Sequence, residues 1–206
     1  TLNADAVVGS DGRLAEVKLS GERLTGLITS RGDGVMFETT LGSFTLPFLN
    51  KIPLTEFGAK GTANAQGMTV SEFDGRVFDG LMAGNARIQW GPAWSVSGDV
   101  RGGGMNAGVF AASLISEGRF EGKGRYVMAG REPERLYETA RLDGSFTVAK
   151  GTLSSFDLSR ALQTTSAQAS GRTQFTELTG NASLASGALA LRDMRLTAGL
   201  LQATGT

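Results

Sequence analysis

Apolar and polar residues alternate with a period of two along much of this chain. Between residues 35 and 41 the pattern puts Val35, Phe37, Thr39 and Leu41 on one face. The same alternation recurs in the segments 44–48, 86–90, 94–97, 146–148, 189–191 and 194–196, and around Leu184. Such alternation is typical of half-buried strands with one wet face, and it fits antiparallel meanders better than parallel βαβ units. The sequence therefore predicts a mainly β protein.

Glycine marks the expected turns between these strands. The chain contains 30 glycines, and Asp-Gly occurs at Asp11, Asp33, Asp74, Asp79 and Asp143. Both residues of this dipeptide tolerate the positive φ of a hairpin turn. We therefore expect a turn at each of the five positions.

Helical patterns are short and few. The segment 107–116 carries Phe110, Leu114 and Ile115 on one stripe, and 156–163 has a similar apolar side. A third segment, 132–140, has Pro133 near its first turn and acidic residues at its start. The sequence predicts two or three short helices at the edges of the sheet.

A weak internal repeat of about 47–48 residues links residues 103–126 to residues 151–173. Each copy has a glycine turn, an apolar helix-like patch and a Gly-Arg that opens a strand. Such units bury their apolar faces by stacking on one another. We expect one continuous β-rich region over 1–206, with a strand-rich part at 1–98 and a repeat-containing part at 99–206. Because the chain starts at Thr1 without methionine, we expect a fragment of a longer protein.

The amino-acid composition argues against several classes of function. Histidine and cysteine are absent, which removes imidazole acid–base chemistry, Ser-His-Asp triads, thiolate nucleophiles and the usual zinc sites. The charges balance at 20 basic and 20 acidic residues, so a nucleic-acid partner is not expected. No apolar run approaches the roughly 20 residues that span a bilayer. We expect no enzyme, no cofactor and no metal site.

Individual motifs support this interpretation. Residues 102–107 satisfy a loose G-x-G-x-x-A, but no β-α-β rhythm follows, so a glycine turn explains them better. Gly32-Asp33-Gly34 lacks the further carboxylates of a calcium loop. The charged cluster 131–135 is interpreted as a solvated helix start. The pair Trp90 and Trp94 is interpreted as packing at a corner between strands rather than as a sugar-binding face.

Several segments together resemble the AsmA-like family of Gram-negative envelope proteins, the AsmA and TamB relatives. In the first half these are Leu46-Pro47-Phe48, then the segments 52–61, 78–80 and 88–98. In the second half they are the segments 142–148, 151–158 and 171–180. The match covers most of the chain from Leu41 to Gly205, through degenerate glycine and apolar patterns.

The resemblance implies an elongated, curved antiparallel sheet, a β-groove or β-roll, in the periplasm on a parent protein anchored in the inner membrane. It also implies an apolar groove for phospholipid transport between the two membranes or for outer-membrane integrity. The partner would then be a phospholipid or another acyl-chain lipid. The candidate groove residues are Phe37, Leu41, Phe44, Leu46, Phe48, Ile88, Trp90, Trp94, Val96, Phe120, Phe146, Val148, Phe175, Leu184, Leu189 and Leu191.

Two other hypotheses stay open at this point. Each candidate groove residue is equally compatible with an ordinary closed core. The chain would then be a structural or protein-interaction module of the envelope that pairs with other proteins through its sheet edges. A glycosidase that uses a pair of carboxylates ranks last, because Asp and Glu lie mainly at expected turns.

Overall fold

The computed structural model describes residues 1–45, 53–154, 156–157, 160 and 171–205. The helical elements with described bounds are the four-residue helix α1 (Ala107–Phe110) and the 3₁₀ helix Pro133–Thr139, and Arg160 is also helical. The strands are β1 (Leu2–Val8), β2 (Leu14–Gly21), β3 (Leu24–Arg31), β4 (Gly34–Thr45), β5 (Pro53–Asn64), β6 (Gly67–Val77), β7 (Gly80–Gln89), β8 (Trp94–Asn106), β9 (Ile115–Gly130), β10 (Arg141–Leu153), β11 (Thr173–Ala185), β12 (Ala188–Ala198) and β13 (Leu201–Gly205).

All 13 strands belong to one open antiparallel sheet, and their order in the sheet is their order along the chain. The predicted mainly β fold with two or three short helices is thereby confirmed, and two of these helices have described bounds. Strand β9 illustrates why the sequence folds in this way. Its even-numbered residues from Gly118 to Gly130 are glycine, aromatic or methionine and are half-buried, while most of its odd-numbered residues are charged and exposed.

Three of the five Asp-Gly pairs lie at hairpin turns, as predicted, and two do not. Asp11, Asp33 and Asp79 lie at the turns that precede β2, β4 and β7. Asp74 and Asp143 instead lie inside β6 and β10. At the first of these two sites, an added Cβ on Gly75 would lie 3.2 Å from the ring of Phe57. The glycine there accommodates close packing in the sheet and does not form a turn.

The helix predictions need correction in their lengths. The segment 107–116 is helical only over Ala107–Phe110, because β9 already begins at Ile115. The helix expected at 132–140 is present as the 3₁₀ helix Pro133–Thr139. Most of the third segment, 156–163, lies outside the described residues.

The two copies of the expected repeat differ in where the Gly-Arg pair lies relative to the strand. Gly171-Arg172 directly precedes β11, in agreement with the pattern. Gly124-Arg125, however, lies in the middle of β9 and does not open a strand.

The chain separates into two compact units, each discontinuous in sequence. Unit 1 comprises Thr1–Val77, Met82–Val100 and Arg125–Arg141. Unit 2 comprises Phe78–Leu81, Arg101–Gly124 and Leu142–Thr206.

Unit 2 has a closed hydrophobic core. Its buried residues are Ala107, Ile115, Val148, Phe175, Leu178 and Leu196. Leu153 at the end of β10 and Phe156 after it pack against this core. The Ser154 amide donates to the Leu114 carbonyl oxygen at 2.9 Å and so joins this segment to the one that follows β8.

Candidate functional site

The strands of unit 1 line up an apolar surface. Residues directly opposite one another on antiparallel strands share a face of the sheet. One row of such partners runs Ala6, Val17, Ile28, Phe37, Gly61 and Val70, from β1 to β6. The next rows run Ala4, Leu19, Gly26, Thr39, Ala59 and Phe73, and then Leu24, Leu41 and Phe57. We call these three rows the apolar face of unit 1.

The apolar face has little hydrogen-bonding capacity. Thr39 is its one polar residue, and the Thr39 hydroxyl donates to the Ala59 carbonyl oxygen at 3.4 Å. The remaining members are aliphatic, aromatic or glycine. A ligand on this face therefore finds van der Waals contact and almost no directional polar contact.

The opposite side of the same strands is charged. Its central row runs Asp5, Lys18, Leu27, Glu38, Lys60 and Glu72. The Lys60 ammonium lies 2.7 Å from the Glu72 carboxylate. This hydrogen bond and the negative charge of Glu72 raise the pKa of Lys60 above its ordinary value. Because the charges alternate in sign, the polar side is well solvated and largely neutralised, and the sheet is amphipathic.

The apolar face is only half-buried in β2, β3 and β4. No residue of β1–β4 whose burial is described is fully buried, although Phe37, Ile28 and Val17 lie in the interior of the strand array. In unit 2, by contrast, Val148 is 2% exposed and Phe175 is 4% exposed. A side chain beneath a second layer becomes buried to this extent, whereas one that packs only on its neighbours in the sheet does not. We interpret the face over β1–β4 as open.

The predicted groove residues of unit 1 lie on half-buried positions. These are Phe37, Leu41, Ile88, Trp90, Trp94 and Val96. The Trp90 and Trp94 rings lie 5.8 Å apart between centroids, and the Trp90 indole N–H donates to the Ala65 carbonyl oxygen at 2.8 Å. Phe44 lies in β4, but its side chain is outside the description, and Leu46 and Phe48 lie outside the described residues.

The predicted groove residues of unit 2 fall into three environments. Val148 and Phe175 belong to the closed core. Phe120 and Phe146 are half-buried and stack with centroids 6.2 Å apart, and Phe120 also contacts Phe110 at 5.1 Å. Leu184 is half-buried, whereas Leu189 and Leu191 are exposed. Unit 2 therefore supplies little continuous open apolar surface, and the candidate site is the apolar face of unit 1.

Aromatic rings lie directly over glycines in this sheet. An added Cβ on Gly84 would lie 2.7 Å from the Phe73 ring, and one on Gly122 would lie 2.7 Å from the Phe120 ring. A ring needs this missing side chain to lie flat on the strands. The glycines thus keep the apolar surface low and continuous.

Sequence reasoning missed part of this face, namely Val17, Leu19, Ile28, Phe57 and Phe73. The alternation in Leu14–Gly21 places Val17 and Leu19 on one side and could have revealed them. In β3 and β5 the partners on the apolar side include glycine and alanine, which weaken the period-two signal.

The remaining motifs hold no assembled chemical site. The glycines at 102–104 lie within β8, and the helix that follows has four residues. Arg135, in the charged cluster, pairs with Glu138 at 2.9 Å. Among the described residues there is no cluster of three or more Asp or Glu side chains suited to a metal ion.

Comparisons with family models, with curated proteins and with solved structures found no match to this chain. Within the part that the structure describes, no helix has the length and apolar character needed to cross a membrane.

Proposed function

We propose that this protein is a periplasmic segment of an AsmA-like envelope protein and that the apolar face of unit 1 carries the acyl chains of phospholipid. The parent protein would be anchored in the inner membrane and would serve phospholipid transport or outer-membrane integrity. The observation that carries the proposal is a row of apolar partners across six neighbouring strands, and in the first four strands no residue whose burial is described is fully buried. The resemblance of the sequence segments supports it.

An acyl chain fits this surface by its chemistry. Each methylene group withdrawn from water contributes about 0.8 kcal/mol, and the contribution depends little on direction. The apolar face has one polar side chain, Thr39, whose hydroxyl already donates to a carbonyl oxygen. A protein partner would ordinarily need polar contacts around its apolar anchors. An acyl chain that slides along the apolar face needs no such polar contacts.

The test compares substitutions on the two faces of the same strands. Ile28→Thr with Phe37→Thr alters the apolar face. Leu27→Thr with Met36→Thr alters the opposite face at adjacent positions, where both side chains are exposed. Threonine suits strands, so both double variants should stay folded. Native mass spectrometry of the gently purified protein, followed by organic extraction, measures the bound lipid.

We expect phospholipid on the wild type and on the Leu27/Met36 variant, with at least tenfold weaker retention in the Ile28/Phe37 variant. If each of the two substitutions leaves about one chain methylene in water, the loss is ~1.6 kcal/mol, which is more than tenfold. A folded, lipid-free wild type would contradict the proposal and favour a protein-interaction module. Equal lipid retention in the two double variants would also contradict it.

A further inference from the structure

A polar depression lies where five strands of unit 1 end or begin. It has a volume of about 340 Å³, at the lower end of the roughly 300–1,000 Å³ typical of small-molecule sites. Arg31 closes β3 on one side, and Arg87 lies near the end of β7 on the other. Between them Gly34 begins β4 and Gly67 begins β6, and both glycines line the depression. An added Cβ on Gly34 or Gly67 would lie 2.4 Å from a carbonyl oxygen of the neighbouring strand, so closely packed strand backbones form the floor of the depression.

The groups around this floor are mainly hydrogen-bond donors. The Asn64 side-chain oxygen accepts from the backbone amides of Gln66 at 2.9 Å and of Gly67 at 3.1 Å. This leaves the Asn64 NH₂ group free to donate. The hydroxyls of Thr62 and Thr69 lie on opposite positions of β5 and β6 and also line the depression.

The two arginines lack a carboxylate partner within the described part of the chain. The Arg31 guanidinium contacts the Met36 sulfur at 3.2 Å, which is a weak acceptor. Arg76 of the same unit, by comparison, lies 2.7 Å from the Glu56 carboxylate. Asp33 is the single acidic residue that lines the depression, against two arginines.

We propose that this depression binds a phosphoryl group and, if the proposed function holds, the phosphate of the lipid whose chains occupy the apolar face. A planar guanidinium matches the oxygens of a phosphate in a bidentate manner, and amide and hydroxyl donors complete such a site. The depression reaches the apolar strand positions Val35, Met68 and Ile88, which also line it. Thr62 pairs with Met36 and therefore lies on the polar side of the strands, whereas Val35 and Met68 lie on the apolar side. A lipid whose chains occupy the apolar face would therefore place its phosphate in the depression by passing around these strand ends.

The experiment follows backbone amide NMR shifts of the full chain during titration with three probes. Inorganic phosphate tests the anion site alone, dihexanoyl phosphatidate tests both parts, and dihexanoylglycerol tests the apolar face without a phosphate. The variant is Arg31→Gln with Arg87→Gln. The control is Arg23→Gln, which removes an exposed arginine before the other end of β3.

We expect phosphate and phosphatidate to shift the amides of residues 64–67 in the wild type and in the control. In the double variant both should bind at least about tenfold more weakly, while dihexanoylglycerol binds as before. Unchanged affinity for phosphate and phosphatidate in the double variant would overturn the phosphoryl site and leave the acyl-chain proposal standing. Arginine-dependent phosphate binding with no lipid binding would support the phosphoryl site for a soluble compound and overturn the acyl-chain proposal.

Discussion

Two phenylalanine-to-alanine substitutions distinguish an open apolar face from a closed core. Phe37 lies at the centre of the apolar face of unit 1 and is half-buried. Phe175 lies in the core of unit 2 and is 4% exposed. The same change of side chain therefore removes contacts in two different settings, and the difference in its effect on stability measures how each ring is covered.

The expected magnitudes follow from burial. Phe175→Ala removes a ring that is enclosed on all sides, so the lost transfer free energy is joined by a cavity term, and the loss is about 3–5 kcal/mol. Phe37→Ala removes a ring that packs only on its neighbours in the sheet and leaves no enclosed cavity. About half of the ~1.5–3 kcal/mol for full burial is then lost, which is about 1 kcal/mol.

The assay is urea unfolding of each variant, followed by circular dichroism for the whole sheet and by tryptophan fluorescence for unit 1. Both tryptophans of the chain, Trp90 and Trp94, belong to unit 1. A pure change of stability shifts the midpoint and leaves the slope unchanged. Met36→Ala, on the polar side of the same strand as Phe37, is the control and should change stability by less than about 0.5 kcal/mol.

A loss of about 3 kcal/mol or more for Phe37→Ala would refute the reasoning. It would show that a second layer covers the apolar face, and acyl chains would have no open surface there. A loss of only about 1 kcal/mol for Phe175→Ala would refute the closed core of unit 2.

Two further predictions concern single contacts. Gly122→Ala should destabilise unit 2 by about 1–3 kcal/mol, because the added Cβ would lie 2.7 Å from the Phe120 ring. Gly103→Ala is the control and should be neutral or stabilising, because an added Cβ there has no atom within 4 Å. Equal urea midpoints for the two variants would contradict this prediction. Burial raises the pKa of Tyr126 above its ordinary 10.0, with a nearby carboxylate adding to the effect. The stability that Tyr126 contributes is therefore present below pH 10.0 and is lost as the pH rises through its higher folded-state pKa. Spectrophotometric titration of Tyr137→Phe, which leaves Tyr126 as the one tyrosine, should give a midpoint above 10.0, and a midpoint at or below that value would contradict the prediction.

Local sequence signals identified the secondary structure where neighbours along the chain decide it. The alternation in 35–41 predicted part of β4, and the Asp-Gly pairs at Asp11 and Asp33 predicted two hairpin turns. These signals work because a strand exposes alternate residues to opposite environments, and because a tight turn needs residues that tolerate positive φ. Both requirements act within a few residues.

The same signals failed where a distant part of the chain decides the role of a residue. Asp74-Gly75 looks like a turn but continues β6, where an added Cβ on Gly75 would lie 3.2 Å from the ring of Phe57 on β5. Glycine can form a turn or allow a side chain to approach the backbone closely, and the dipeptide Asp-Gly does not distinguish between the two roles.

For the candidate site too, the sequence determined some features and the tertiary structure decided the others. The sequence by itself determined that the chain is mainly antiparallel β, that its strands are amphipathic, and that Phe37, Leu41, Ile88, Trp94 and Val96 fall on apolar strand positions, with Trp90 directly after β7. Only the tertiary structure decided which of the apolar candidates are covered. Phe37 and Phe175 both occur in alternating segments, yet Phe37 is half-buried, whereas Phe175 is buried in the core against which Leu153 and Phe156 pack. Alternation reports which side of a strand is apolar, whereas burial depends on whether another part of the chain crosses over that side.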